Sequence, residues 1–179
     1  EMKKDGIENV RAEEVMVPKW VRGEESAKMV KPWPKNLAML GLGGSIGTKS
    51  NGITAKVIAV SNFEELANRS NEVKGKIVLF NVPFNTYSNT VKYRVRGAIE
   101  ASKHGAGASL VRSVGTFTMN TPHTGTSSYE DGVKKIPHAA ITFEDAAMIV
   151  IILENGQDVE INLKMEAQNY PDVLSHNLI

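Results

Sequence analysis

The sequence predicts a mixed α/β (α+β) fold, on three observations. Lys76 to Phe80 is a short, nearly continuous apolar run, the pattern of a strand buried on both faces. Thr90 to His104 follows with helical spacing, and Ala108 to Val111 returns as a second apolar strand. A strand-helix-strand crossover of this kind normally pairs its strands in parallel. Finally, Val159, Ile161, Leu163 and Met165 alternate with polar residues, which is the period of a half-exposed strand.

The elements follow in chain order. Glu1 to Asp5 reads as a helix end stopped by Gly6, and Val10 to Val17 as a strand ending at Pro18. Pro32, Trp33 and Pro34 argue against regular structure, so a domain boundary is expected between Ser26 and Asn36. Leu37 to Leu40 and Ile53 to Val60 are expected strands, the second entered from the Asn51-Gly52 turn signal. Ser61 and Glu64 have capping-box spacing for a short helix with Phe63, Leu66 and Ala67 on its buried face. In the longer helix the expected seam is Val91, Val95, Ala98 and Ser102, with Gly105 as a left-handed stop.

Val114 to Lys135 is rich in Thr, Ser and Gly and has no clear period, so it reads as a loop. A loop of about twenty residues inside a compact domain is usually functional or mobile. Pro137 leads a short strand, Thr142 and Asp145 cap a helix running to Glu154, and Asn155-Gly156 ends it. The tail from Glu166 to Ile179 reads as irregular, and the opening residues Glu1 to Lys4 as the interior of a longer protein.

Composition narrows the function classes. The 179 residues are 41% hydrophobic and 23% charged with a net charge of +1, as in an ordinary globular protein. No Lys/Arg stripe interleaved with aromatics marks a nucleic-acid partner. The longest apolar run, Ala146 to Leu153, falls far short of the ~18 residues of a membrane span. With no cysteine, disulfides, a thiolate nucleophile and cysteine-ligated zinc are all excluded. Asn68-Arg69-Ser70 is the single glycosylation sequon.

Few residues have the pattern of a chemical site. Gly43 to Gly47 fits G-x-S-x-G around Ser45, but a polar turn follows where a nucleophile elbow needs a helix, so a glycine-rich loop is expected. His104, His123, His138 and His176 form no pair at metal-ligand spacing. Glu13-Glu14 and Glu24-Glu25 are tandem carboxylates whose neighbours point to opposite faces of a strand, so they read as solvated charge. The candidate contacts for a substrate or partner are His123 and Thr124 in the long loop, with Tyr87, Arg112 and Tyr129 expected nearby. Arg112, at a strand end, has the chemistry to hold a carboxylate bidentately.

The strand-helix-strand unit with Ile136 to Ile141 resembles the core of a protease-associated (PA) domain. Longer blocks are similar to zinc exopeptidases of the carboxypeptidase Q type: Val15 to Ser26, Leu40 to Thr48, Gly52 to Ala55, Arg112 to Val114, Pro122 to Gly125, Tyr129 to Val133 and Leu163 to Met165. The resemblance implies a PA-like small β-barrel or sandwich with two or three flanking helices over residues 26–165. Residues 1–25 and 166–179 would be the edges of an interrupted zinc peptidase domain. It also implies a non-catalytic role as wall or lid of the active-site cleft of a secreted or lysosomal dizinc enzyme that cleaves dipeptides and short peptides. No catalytic or zinc-binding residue is implied within the chain. The implied partners are its own peptidase domain, a short peptide substrate and a second copy in a homodimer, with a glycan at Asn68. The other reading is a stand-alone PA-type module that binds peptides or proteins.

Overall fold

In a computed structural model, which describes all of residues 1–179, the chain forms two separate sheets and three α-helices. The strands are β1 (Ala12–Val21), β2 (Glu25–Lys31), β3 (Lys35–Leu37), β4 (Met39–Gly41), β5 (Ile53–Val60), β6 (Ile77–Phe80), β7 (Ala108–Arg112), β8 (His138–Ile141), β9 (Glu160–Met165) and β10 (Gln168–Leu178). The helices are α1 (Phe63–Asn68), α2 (Tyr87–Lys103) and α3 (Phe143–Glu154), with a 3₁₀ turn over Ser70–Glu72. Strands β1 and β10 pair antiparallel as a ribbon of their own. The other eight form one sheet in the order β3-β2-β9-β5-β6-β7-β8-β4, in which β5 to β8 are parallel.

That sheet curls into a nearly closed barrel, and side chains span the gap where no strand ladder does. Arg22 Nη1 donates to the Gly41 carbonyl at 2.5 Å, and the Gly41 amide donates to Glu25 Oε2 at 3.0 Å. Arg22 and Glu25 pair with each other at 3.1 Å. A Cβ at Gly41 would come within 2.6 Å of both Glu25 Oε2 and Met165 Cε, so the gap closes only around a glycine. Glu25 therefore contradicts the solvated-charge reading. Its carboxylate is the bolt of the barrel.

Alternation along the parallel strands divides the apolar residues into two clusters. Ile77, Leu79, Ala108, Leu110, Ala139 and Ile141 face inward, where Ala146, Ile149 and Ile152 of α3 plug the barrel. Val78, Phe80, Val111 and Ala140 face outward and are covered by α1 and α2 through Leu66, Tyr93, Ala98 and Ala101.

Several boundaries differ from the sequence reading. Strand β1 runs through Pro18, because the register slips between Val17 and Lys19 and the ladder needs no donor there. The segment expected as a boundary, Ser26 to Asn36, contains β2 and β3, and Pro32 sits in the connection after a cis Lys31–Pro32 bond. The tail is not irregular: β10 extends from Gln168 to Leu178 against β1. Strand β9 lies between β2 and β5, so pairing covers both its edges. The cap of α1 shifts by one residue. Asn62 accepts the Glu65 amide at 2.7 Å, and the Glu65 carboxylate accepts the Ser61 amide at 2.7 Å.

Helix α2 begins at Tyr87, capped by Thr86, and buries Tyr93, Arg94, Gly97, Ala98 and Ala101 in place of the Val91-Val95 seam. Gly97 sets this rotation. A Cβ there would lie 2.9 Å from His138 Cε1 and 3.0 Å from Phe80 Cε2, so the helix presses its bare backbone on the sheet.

Candidate functional site

The long segment between β7 and β8 has no regular structure, yet it is tied down along its length. Ser113 Oγ donates to the Ile141 carbonyl at 2.8 Å and accepts the His123 amide at 3.0 Å. The Gly43 amide donates to the Gly125 carbonyl at 2.8 Å, and the Ser127 amide to the Gly43 carbonyl at 2.9 Å. The Ser128 amide donates to the Val95 carbonyl of α2 at 2.9 Å. Near its start, Glu144 at the head of α3 accepts the Thr118 hydroxyl and, at 3.0 Å, the Met119 amide. The Thr118 hydroxyl bond, helped by the backbone amides of Glu144 itself, Met119 and Thr118, holds the Glu144 carboxyl down at about 2. Phe117 and Met119 beside this clamp are exposed.

Tyr87 and Thr124 meet through a residue the sequence reading did not select. Arg94 donates to Tyr87 Oη at 2.6 Å and to the Thr124 carbonyl at 3.3 Å. It is nearly buried, and a Cβ on Gly125 would lie 2.5 Å from its guanidinium carbon. An arginine on an amphipathic helix reads as surface. The one local hint was its position three residues before Gly97, on the face that approaches the sheet.

Arg112 ends β7 beside Asn81, the residue after β6. Its guanidinium lies 4.0 Å from the centroid of the Phe143 ring and donates one hydrogen bond, 3.3 Å to Asn81 Oδ1. Burial pushes its pKa down, and its Nε is buried without a partner. His123 is exposed, and its own amide is anchored on Ser113, the residue after Arg112. Tyr129 sits elsewhere, donating to the Ile136 carbonyl at 2.6 Å and accepting the Ile46 amide at 3.1 Å. Burial raises its pKa. Asn68 is exposed at the end of α1.

Ser45 has no nucleophile geometry. It is fully buried, accepts the His138 amide at 2.9 Å and donates to the Ile46 carbonyl at 3.0 Å. His138 is buried as well, its Nδ1 3.3 Å from Ser127 Oγ, and burial pushes its pKa down to about 3. No three His, Cys, Asp or Glu side chains lie together where they could hold a metal ion, and the residues of this chain do not fit a zinc site. Neither Arg112 nor His123 lines any of the four principal concavities, although one of about 180 Å³ between β5 and α3 reaches Asn81. Arg112 and His123 thus lie at the carboxyl edge of the parallel strands outside these concavities, while Tyr129 stands apart from them. No helix is long and apolar enough to cross a membrane.

A barrel of mixed strands plugged by one helix, with no metal site of its own, is a domain of the kind found within M28 peptidases. A solved peptidase M28 precursor from Shewanella amazonensis superposes with a TM-score of 0.93 at 32% identity, over 99% of this chain and 42% of that one. A zinc aminopeptidase from Bacillus subtilis shares the fold alone, with a TM-score of 0.62 at 20% identity over 95% of this chain and 36% of that one. Carboxypeptidase Q from Homo sapiens is 51% identical over 178 residues, which is 99% of this chain and 38% of that protein. The chain is a carboxypeptidase Q-like, peptidase-associated segment, and it spans 38% of the length of the curated relatives it matches. No family model matches it.

Proposed function

We propose that this chain is the non-catalytic wall of the active-site cleft in a secreted or lysosomal dizinc exopeptidase that cleaves dipeptides and short peptides. The observation that carries the reading is its 51% identity, over 178 of its 179 residues, with a stretch that makes up 38% of carboxypeptidase Q. The internal commitments of Ser45 and His138 support a non-catalytic role. Two zinc ions, which supply an activated water in such enzymes, would be held by residues outside this chain. The separate β1–β10 ribbon supports the division into peptidase-domain edges at residues 1–25 and 166–179 around a PA domain at 26–165. Asn68 is open to glycosylation, and a homodimer belongs to the same reading.

In this reading the loop from Val114 to Lys135 limits substrate length, with His123, Thr124, Arg112, Tyr87 and Tyr129 on or behind its substrate side. The Glu144 clamp supports it, because a length stop has to be held in place. The test replaces Phe117 and Met119 with serine in the full-length enzyme, which leaves the clamp intact. The preference for dipeptides over tetrapeptides is expected to fall roughly tenfold, the scale of a shape-based discrimination. An unchanged ratio of kcat/KM values would remove the loop from the cleft.

A further inference from the structure

Of the six arginines, Arg11, Arg22, Arg69 and Arg96 are paired with carboxylates. Arg94 is nearly buried and spends its fork on Tyr87 and Thr124. Arg112 stands apart. Like Arg94 it has no carboxylate partner and an unsatisfied Nε, but it is only half-buried and makes a single long hydrogen bond, so its fork is open to a ligand. A partly desolvated guanidinium left in that condition is costly unless an anion completes it. The carboxylate nearest in sequence beyond β8, Glu144, is committed to Thr118 and Met119 and forms no ion pair with Arg112.

The guanidinium is also held in one orientation. The Phe143 ring lies against it at 4.0 Å, Asn81 takes one N–H, and register places Asn81 and Arg112 side by side at the carboxyl ends of the parallel strands β6 and β7. Ligands of parallel α/β sheets collect at that edge. A fixed planar fork with free N–H groups suits a carboxylate, which accepts two parallel bonds at once, while the Asn81 amide nitrogen adds a neighbouring donor.

We propose that Arg112, oriented by Phe143 and Asn81, is a specificity residue that receives the free C-terminal carboxylate of a peptide substrate. This rests on the cleft-wall reading above. It names what the wall would recognise: an unblocked peptide end, with the apolar Phe117 and Met119 nearby to face its last side chain.

The experiment uses the full-length protein and three probes of one sequence: a tripeptide acid, its C-terminal amide, and the amide carrying a side-chain carboxylate. Binding is followed by calorimetry and hydrolysis by product release, in wild type and in Arg112→Met and Arg112→Lys. In wild type the acid is expected to bind about 10- to 100-fold more tightly than the amide, the range for a charge-assisted bidentate contact. In Arg112→Met that ratio should collapse towards one, with affinity for the amide unchanged. Arg112→Lys should recover part of it, because a lysine supplies the charge without the fork.

Equal binding of acid and amide by wild type, or a ratio that survives Arg112→Met, overturns the proposal. If the side-chain carboxylate binds as well as the terminal one, the recognition of a chain terminus is overturned. If wild type hydrolyses none of the probes yet prefers the acid in an Arg112-dependent manner, the enzymatic reading fails and the carboxylate site stands.

Discussion

Acidification from pH 7 to pH 5 is expected to cost this fold about 2 kcal/mol, rising to about 3 kcal/mol by pH 4, through one buried histidine. His138 is fully buried on β8, with its Cε1 against Gly97 and no carboxylate on it. Its Nδ1 reaches Ser127 Oγ, and its Nε2 has no partner. The tautomer with the proton on Nδ1 leaves only a lone pair unmatched, whereas the cation would bury an unpaired charge. Burial therefore pulls its pKa from 6.5 to about 3. The sign follows. Below 6.5 the unfolded chain takes up a proton that the folded chain refuses, so stability falls with pH from about 6.5 until the folded group titrates near 3. Glu144 acts in a lower window: its depressed carboxyl stabilises the fold above 4.5, and that contribution is lost as pH falls towards 2.

Urea unfolding at pH 7, 6, 5 and 4 separates the two windows. Wild type should lose stability already between pH 7 and 5, and His138→Gln should be flat there while both decline below pH 4.5. A variant with the same slope as wild type above pH 5 would assign the loss to another group.

How far the fold is legible in the sequence depends on whether a pattern is local. Strand β5 and helix α3 fall where periodicity and caps place them, at Ile53–Val60 and Phe143–Glu154. Gly105 has the left-handed backbone expected of a helix stop. The misses are places where a distant partner decides. Strand β10 carries Pro171 and few apolar residues, and only β1 makes it a strand. In α2 the valines have the helical period, but Gly97 brings the helix in on Phe80 and His138 and turns Val91 and Val95 aside.

The same holds for the site. Arg112 is legible as a cation at a strand end, whereas its lack of a carboxylate is a property of the folded surroundings. Glu25 was misread and Arg94 was not selected, because a buried charge and a surface charge look alike in one dimension. Tyr129 is tied to Ile46, eighty-three residues away, and no local pattern carries that.

Replacing Phe80 with alanine should have the largest effect of any single truncation here, a loss of about 3–5 kcal/mol, against a total stability on the order of 5–15 kcal/mol for a domain of this type. Phe80 is fully buried at the end of β6. Its ring meets Phe63 of α1 edge-on at 5.4 Å and Tyr93 of α2 at 5.9 Å, so it is where the outer cluster gathers both helices onto the sheet. The cavity would open under α2, and the long loop hangs on that helix through Arg94 to Thr124 and through the Val95 carbonyl to Ser128. Amides from Thr124 to Ser128 should therefore lose protection from hydrogen exchange together with those of α2. The β1–β10 ribbon should keep its protection, since Trp20 and Asn169 tether it to the Gly44–Ser45 turn and not to α1 or α2, and Trp20 packs on the inner cluster. Phe80→Leu, which conserves most of the volume, should lose less than about 1.5 kcal/mol and leave the loop protected. If Phe80→Ala loosened α2 while the loop amides stayed protected, the loop would be held from the barrel side alone, by Ser113, Gly43 and Glu144, and helix packing would have no part in shaping the rim around Arg112 and His123.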